Sequence, residues 1–297
     1  MAIEFYFLAI FLNSKCQQTL ILGIYLSSLF LTACEQQKNK EPEFKAPMGP
    51  YGLPYRVGNL GGKAVLLGEE VEWLEYEDSP VLVLEHRYKG YKAPPRDFNS
   101  VITAFGVQIK YTTGIALVRY QGAPQESYRQ YKAEIDSPYN QWVSIGVNSG
   151  VRYHPNLNNF FINWTVDSKT RSHKNMVNTN YIYIYILADK QEFGLEKYAP
   201  HPEWVKFSGY TETKDMYIQT DSTGNVMTII FCTNSVVKER SAPRCNMYWN
   251  LEPFMKVQLE ARFARVHLKD WQLIRKNSEK LIKSFAVDPK TLKHITE

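Results

Sequence analysis

Met216 to Thr233, MYIQTDSTGNVMTIIFCT, decides the fold class. Two apolar runs flank the polar turn sequence Asp221-Ser222-Thr223-Gly224-Asn225. In the second run Val226, Thr228, Ile230 and Cys232 share one face if the segment is a strand. Period-two apolar residues on both sides of a turn predict an antiparallel β-hairpin. Upstream, Tyr181 to Leu187, YIYIYIL, alternates Tyr and Ile. That pattern suits a central strand paired on both sides, since an unpaired one would invite aggregation. It also suits a ladder of Tyr181, Tyr183 and Tyr185 presented to a ligand. Downstream, Lys256 to Val266 alternates again, with Val257, Leu259, Ala261 and Phe263 facing together. The pattern then changes to helical spacing. Leu268, Trp271, Ile274, Leu281 and Phe285 form one stripe, Arg275, Lys276, Glu279 and Lys280 lie away from it, and Pro289 follows. The stripe predicts a helix packed on a sheet. The alternative is a basic amphipathic helix on a membrane surface.

The first half reads as more strands. Gly61-Gly62 turns into Lys63 to Leu67. In Glu70 to Tyr76, alternation puts Val71 and Trp73 on one face and Leu74 and Tyr76 on the other. Tyr76 to Pro80 is a polar break, read as a solvated loop in preference to a calcium or catalytic carboxylate site. Val101 to Tyr111 and Ile115 to Tyr120 form a second hairpin around Thr112-Thr113-Gly114. Gln121 to Asp136 is a surface loop or short helix, and Trp142 to Tyr153 and Phe160 to Val166 are further strand regions. The expected fold is mainly β within the α+β class: antiparallel sheets, in one or two β-rich lobes, with the C-terminal amphipathic helix packed on the sheet.

Composition narrows the function classes. The chain has 297 residues, 44% hydrophobic and 22% charged, enough for a real core. Its 14% aromatic content, with 20 Tyr, favours β structure and recognition surfaces. Net charge is +5 without a dense Lys/Arg run, so nucleic acid is not an expected partner.

Thr19 to Cys34, TLILGIYLSSLFLTAC, places the protein. An apolar run ending in Leu31-Thr32-Ala33-Cys34 has the form of a bacterial lipoprotein signal, with cleavage between Ala33 and Cys34 and lipid on the Cys34 thiol. Acylation, palmitate included, then anchors the mature chain to a membrane. The layout that follows is a signal peptide over 1–33, a flexible tether over 34–48, a β-rich periplasmic domain over 49–287 and a tail over 288–297. Glu35, not Asp, follows the cysteine; by resemblance to the lipoproteins of enteric bacteria, in which Asp there signals inner-membrane retention, this implies the outer membrane, facing the periplasm. The upstream segment is unusual: Met1 to Gln18 carries Glu4 and, before the apolar run, only Lys15 as positive charge. Either the n-region is long or the start codon lies further along. The competing reading of Thr19 to Ala33 is an uncleaved transmembrane helix, for which the run is short. Of four cysteines, Cys16 leaves with the signal and Cys34 takes lipid, so Cys232 and Cys245 remain. In an oxidising compartment that pair is expected to form a disulfide, the alternative being two buried thiols.

Catalytic motifs are missing. The sequence holds no GxSxG, Walker, HExxH or GxGxxG pattern, and His86, His154, His173, His201, His267 and His294 are scattered. The expectation is a protein that is not an enzyme and carries no metal or cofactor, although dispersed triads exist. Two groups of residues carry a resemblance. One is Leu60 to Val65 with Tyr76 to Pro80 and Ile102 to Gly106. The other is Ile229 to Cys232, Pro243 to Cys245, Phe263 to Trp271 and Leu281 to Phe285. Together they resemble Gram-negative lipoproteins that act as immunity proteins against type VI secreted lipase effectors. The resemblance implies a secreted lipase effector protein as partner, held by stoichiometric binding, and no active site. The rival reading is a structural envelope lipoprotein that binds cell-wall or outer-membrane components.

Overall fold

Six strands that follow one another in sequence also lie side by side. They are β7 (Tyr185–Leu187), β8 (Glu196–Pro200), β9 (Lys214–Thr220), β10 (Val226–Thr233), β11 (Arg244–Asn250) and β12 (Gln258–Ala264). This antiparallel meander is continued at β12 by strands from the first half, in the order β12, β6 (Trp142–Asn148), β4 (Ile102–Lys110) and β3 (Val71–Tyr76). The short β5 (Ile115–Ala116) also pairs with β4. A separate hairpin joins β1 (Arg56–Leu60) to β2 (Lys63–Leu67). The structure is a computed structural model, which describes residues 44–79, 92–156, 158, 185–188, 191–202, 214–234 and 243–295. Ala33, Cys34, the strand region Phe160 to Val166, and Tyr181 and Tyr183 lie outside the described residues. No helix among the described residues is long and apolar enough to cross a membrane.

The antiparallel sheets and the C-terminal helix are those expected from the pattern. Helix α2 (Trp271–Ser284) follows a 3-10 turn over Arg265–Asp270 and covers one face of the large sheet. The helix α1 (Glu126–Glu134) resolves the loop-or-helix choice for Gln121 to Asp136. Under α2, Val257, Leu259, Ala261 and Phe263 join Val143, Ile145, Val147, Met247 and Trp249 with Trp271, Ile274 and Ile282 in the main core. Register explains this. Ala261 stands opposite Ile145 on one neighbour and Met247 on the other, so the apolar faces of three strands coincide. Phe105 meets Phe285 edge to face at 6.1 Å.

Local irregularities alter four expectations. Between Val71 and Trp73 the pairing with β4 slips, so the two do not share a face. Val71 enters the core, with Leu74 and Tyr76 packed against it, while Trp73 stands outside. A slip between Val226 and Thr228 likewise takes Val226 out of the Ile230 face and packs it in a second cluster with Ile229, Met216 and Ile218. Strand β5 ends at Ala116 instead of Tyr120. Leu117 still donates to Gln108, but the next amide, Val118, is taken by the Ser127 hydroxyl at 3.2 Å. Arg275 does not point away from the sheet: it donates to Gln219 at 3.1 Å and Thr228 at 2.8 Å. The Gly61-Gly62 turn is a two-residue hairpin loop with both residues at positive φ (56° and 93°), as its register Leu60↔Lys63 requires. In the polar break after β3, Asp78 pairs with Arg96 at 2.8 Å, which also lies over the Tyr76 ring.

Candidate interaction face

The face of the sheet opposite α2 is built from the alternate residues of the same strands. One row runs Gly106, Gly146, Glu260, Tyr248, Ile229, and the adjacent row runs Gln108, Ser144, Arg262, Asn246, Phe231. Trp73, opposite Gly106 in the register, lies with its indole over that glycine and is 44% exposed. A Cβ at Gly106 would stand 2.2 Å from Trp73 Nε1, so only glycine admits the ring there. Gly146 is different. A Cβ there would meet nothing nearer than Glu260 at 3.8 Å, which leaves a shallow dip between the indole and the Glu260 carboxylate.

Beyond the dip the polar groups are fixed. Glu260 Oε1 accepts from Arg262 Nε at 2.7 Å, from the Tyr248 hydroxyl at 3.2 Å and from Asn246 Nδ2 at 3.3 Å. The hydrogen bond and charge of Glu260 hold Arg262 protonated above its ordinary range. Burial, and then Glu260, raise the Tyr248 phenol, while the Asn246 hydrogen bond pulls the other way. An aromatic line continues from here, Tyr248 to Phe231 and Phe231 to Tyr185, each with centroids 6.4 Å apart. That line leads into a buried cluster, with Tyr185 and Ile229 1% and 0% exposed, so the exposed aromatic of this face is Trp73, on the same sheet face as polar groups whose geometry is already set.

Cys232 and Cys245 lie directly opposite each other on β10 and β11 and are joined by a disulfide, with Cα atoms 4.1 Å apart. Both are fully buried on the α2 side. Their sequence neighbours Phe231 and Asn246 form the adjacent register pair and project to the opposite face of the sheet. The crosslink therefore fixes the register of the two strands that carry Phe231, Asn246 and Tyr248. The expected disulfide is present, and it joins the end of β10 to the next strand, β11.

Acid–base groups gather elsewhere and are enclosed. Tyr111 donates to Asp270 Oδ2 at 2.9 Å, and its hydroxyl lies 3.1 Å from His267 Nδ1. His267 Nε2 lies 2.9 Å from the Asn140 carbonyl, so both ring nitrogens are engaged in a buried side chain. Burial, then Asp270, raises the Tyr111 phenol well above its usual range. This cluster ties α2 and its preceding turn to the end of β4. A second cluster, in which Arg265 bridges Asp215, the Tyr217 hydroxyl and the Thr233 carbonyl, ties that turn to β9 and β10. No group of metal-ligating side chains occurs among the described residues. Sequence reasoning missed Trp73 and the Glu260 network; glycine in a strand interior, at Gly106, was the available signal for close approach by another group.

No protein-family profile matches the chain, and no curated protein matches it in sequence. Two solved structures are similar to it in shape. One is Smlt3025, an immunity protein of the Stenotrophomonas maltophilia type IV secretion system, with 13% identity and a TM-score of 0.47 over 82% of this chain and 99% of that one. The other is the Neisseria meningitidis iron-regulated outer membrane lipoprotein FrpD, with 10% identity and a TM-score of 0.36 over 83% of this chain and 98% of that one.

Proposed function

We propose that the chain is a lipid-anchored envelope protein that neutralises a secreted effector by binding it, and that the open sheet face is the binding surface. One observation carries the choice of face: an indole seated on a glycine beside a carboxylate, arginine, tyrosine and asparagine that hold one another in place. Binding hot spots combine a rigid aromatic anchor with polar atoms whose geometry is already set. The finer form of the proposal rests on the sequence resemblance and makes the effector a type VI lipase. Such an enzyme attacks phospholipid, so an inhibitor tethered through Cys34 waits at high local concentration where the damage would occur. Occlusion of the catalytic cleft or of the lipid-docking surface then stops it without chemistry.

The test is direct. The mature chain is mixed with the lipase effector encoded beside its gene, and complex formation and lipase activity are measured. The expected outcome is a stoichiometric complex with activity lost, and a weaker complex for Trp73→Ala. Free proteins with undiminished lipase activity would sink the proposal.

A further inference from the structure

The two ends of the described chain converge on one small apolar cluster. Phe44 packs edge to face on Phe98 at 5.1 Å. Phe98 belongs with Ala46, Tyr55, Val57, Leu66 and Val287. Val287 donates to the Ala64 carbonyl and pairs with His294, so the turn 288–293 leaves from this same cluster. That turn is tightly built. The Asp288 carboxylate accepts from the Lys290 and Thr291 amides and the Thr291 hydroxyl, and the Asp288 carbonyl accepts from Leu292. At its tip Leu292 is held at φ 58° and is 38% exposed. A leucine in the left-handed region is disfavoured, and an apolar side chain turned outward there gains nothing within the fold. Phe44 is 37% exposed and Met48 63%. Lys45 follows Phe44 in the chain, and Lys290 and Lys293 lie on the same turn as Leu292; all three are exposed, and none is in an ion pair among the described residues.

We propose that this end is a bilayer seat, in which Phe44, Met48 and Leu292 enter the interface of an anionic phospholipid membrane while Lys45, Lys290 and Lys293 meet its headgroups. Exposed apolar tips with lysines on the same short segments match such a surface in both polarity and charge. Chain length favours a membrane over a protein partner. Nine residues separate Cys34 from Phe44, so even a fully extended tether spans no more than about 35 Å. The charge of the seat's own segments agrees: residues 44–48 and 288–295 hold Lys45, Lys290 and Lys293 against Asp288. This proposal rests on the lipid-anchor reading, because without the anchor the seat has no reason to meet a membrane. It gives the anchor a second function: the domain is oriented as well as tethered.

The experiment uses the chain from residue 34 onward with Cys34→Ser, which keeps every described apolar cluster and lacks only the lipid. Partition is measured by flotation with vesicles of phosphatidylethanolamine and phosphatidylglycerol, and with neutral phosphatidylcholine vesicles, at low and high salt. Salt-sensitive binding to the anionic vesicles is expected. Lys290→Gln with Lys293→Gln should lower it by roughly 25-fold, while Arg129→Gln with Lys132→Gln, the same charge removed from α1, should not. Leu292→Gly, which suits the left-handed backbone, should weaken partition by roughly fivefold or more without lowering stability. Absent or salt-insensitive binding, or equal loss in the α1 variant, overturns the proposal. So does a concentration-dependent dimer that Leu292→Gly abolishes, since the seat would then belong to a second copy. The anchor is read separately, in membranes washed with high salt to release the seat: Cys34→Ala should move the full-length protein out of the washed membrane fraction where the wild type stays, and retention there refutes the anchor while leaving the vesicle result standing.

Discussion

A single methyl group at position 106 should dismantle the open face and leave the fold in place. In Gly106→Ala the new Cβ would lie 2.2, 2.8 and 3.0 Å from Nε1, Cε2 and Cδ1 of Trp73. Ordinary contact begins near 3.4 Å, so the indole must retreat by at least about 1.2 Å and lift off the sheet. The backbone does not resist, because Gly106 is not among the glycines at positive φ. Alanine in a strand interior gains roughly 0.5–1 kcal/mol over glycine. That gain offsets the packing lost by a ring that is already 44% exposed. Stability should therefore change by less than about 1 kcal/mol, a shift in Tm of a few degrees. Binding should suffer more, since displacing a hot-spot aromatic costs about 2 kcal/mol or more, roughly a 30-fold weaker Kd. Calorimetric titration with the effector reads the affinity. Acrylamide quenching reads the indole itself, taken as the difference between chains with and without Trp73→Phe. Wild-type quenching and wild-type affinity in Gly106→Ala would refute the seating of the ring. Weakening by Trp73→Ala alone would keep the ring as a contact but remove its glycine seat.

Replacing Cys232 and Cys245 by alanine should cost roughly 3 kcal/mol in chemical unfolding; mass analysis that finds two free thiols in the native protein would remove the basis for that figure. Ile274→Ala, at a fully buried helix position under the sheet, should cost about 2–5 kcal/mol, and a loss below 1 kcal/mol would mean that α2 does not close the core. In the β9–β10 turn, hydrogen bonds from the Thr223 hydroxyl and the Asn225 amide hold Asp221 at about 2, below its ordinary 3.8. Its stabilisation is present above pH 3.8 and is lost as pH falls toward 2, so carbon-detected NMR titration of Asp221 should show the low midpoint and Asp221→Asn should flatten that part of the stability curve. Burial, then Glu196, raises Tyr198 to about 12. Its contribution is full below pH 10 and disappears as pH rises through 12, which phenolate absorbance during alkaline unfolding will follow; titration at pH 10 would contradict the burial.

Much of the fold was legible in the chain, and the reasons are local. The alternation Val257, Leu259, Ala261, Phe263 survives because β12 runs without interruption between two partners. The Asp221 turn was readable because the carboxylate, threonine and asparagine that close it are adjacent in sequence. What escaped depends on slips of one residue. At Val71/Trp73 and Val226/Thr228 the partner strand advances one position while the bulged strand advances two, and every side chain beyond changes face. Nothing in the apolar pattern marks those steps. The candidate face was illegible for a further reason: Trp73, Gly106, Gly146 and Glu260 come from four strands, and only the order β3, β4, β6, β12 brings them together. Arg275 was misread because its partners, Gln219 and Thr228, belong to the far hairpin.

That strand order also sets a timetable. The meander β7 to β12 joins neighbours in sequence, but β6 waits for β12, more than 100 residues later, before its second edge is paired. Helix α2, which covers the apolar face of both halves, comes later still. A chain made from its N-terminus can therefore pair β3, β4 and β6 with one another early, while the second edge of β6 stays open. Until its last 40 or so residues arrive, that edge and the apolar face of the first half lie bare, and the half-made chain is open to wrong pairing.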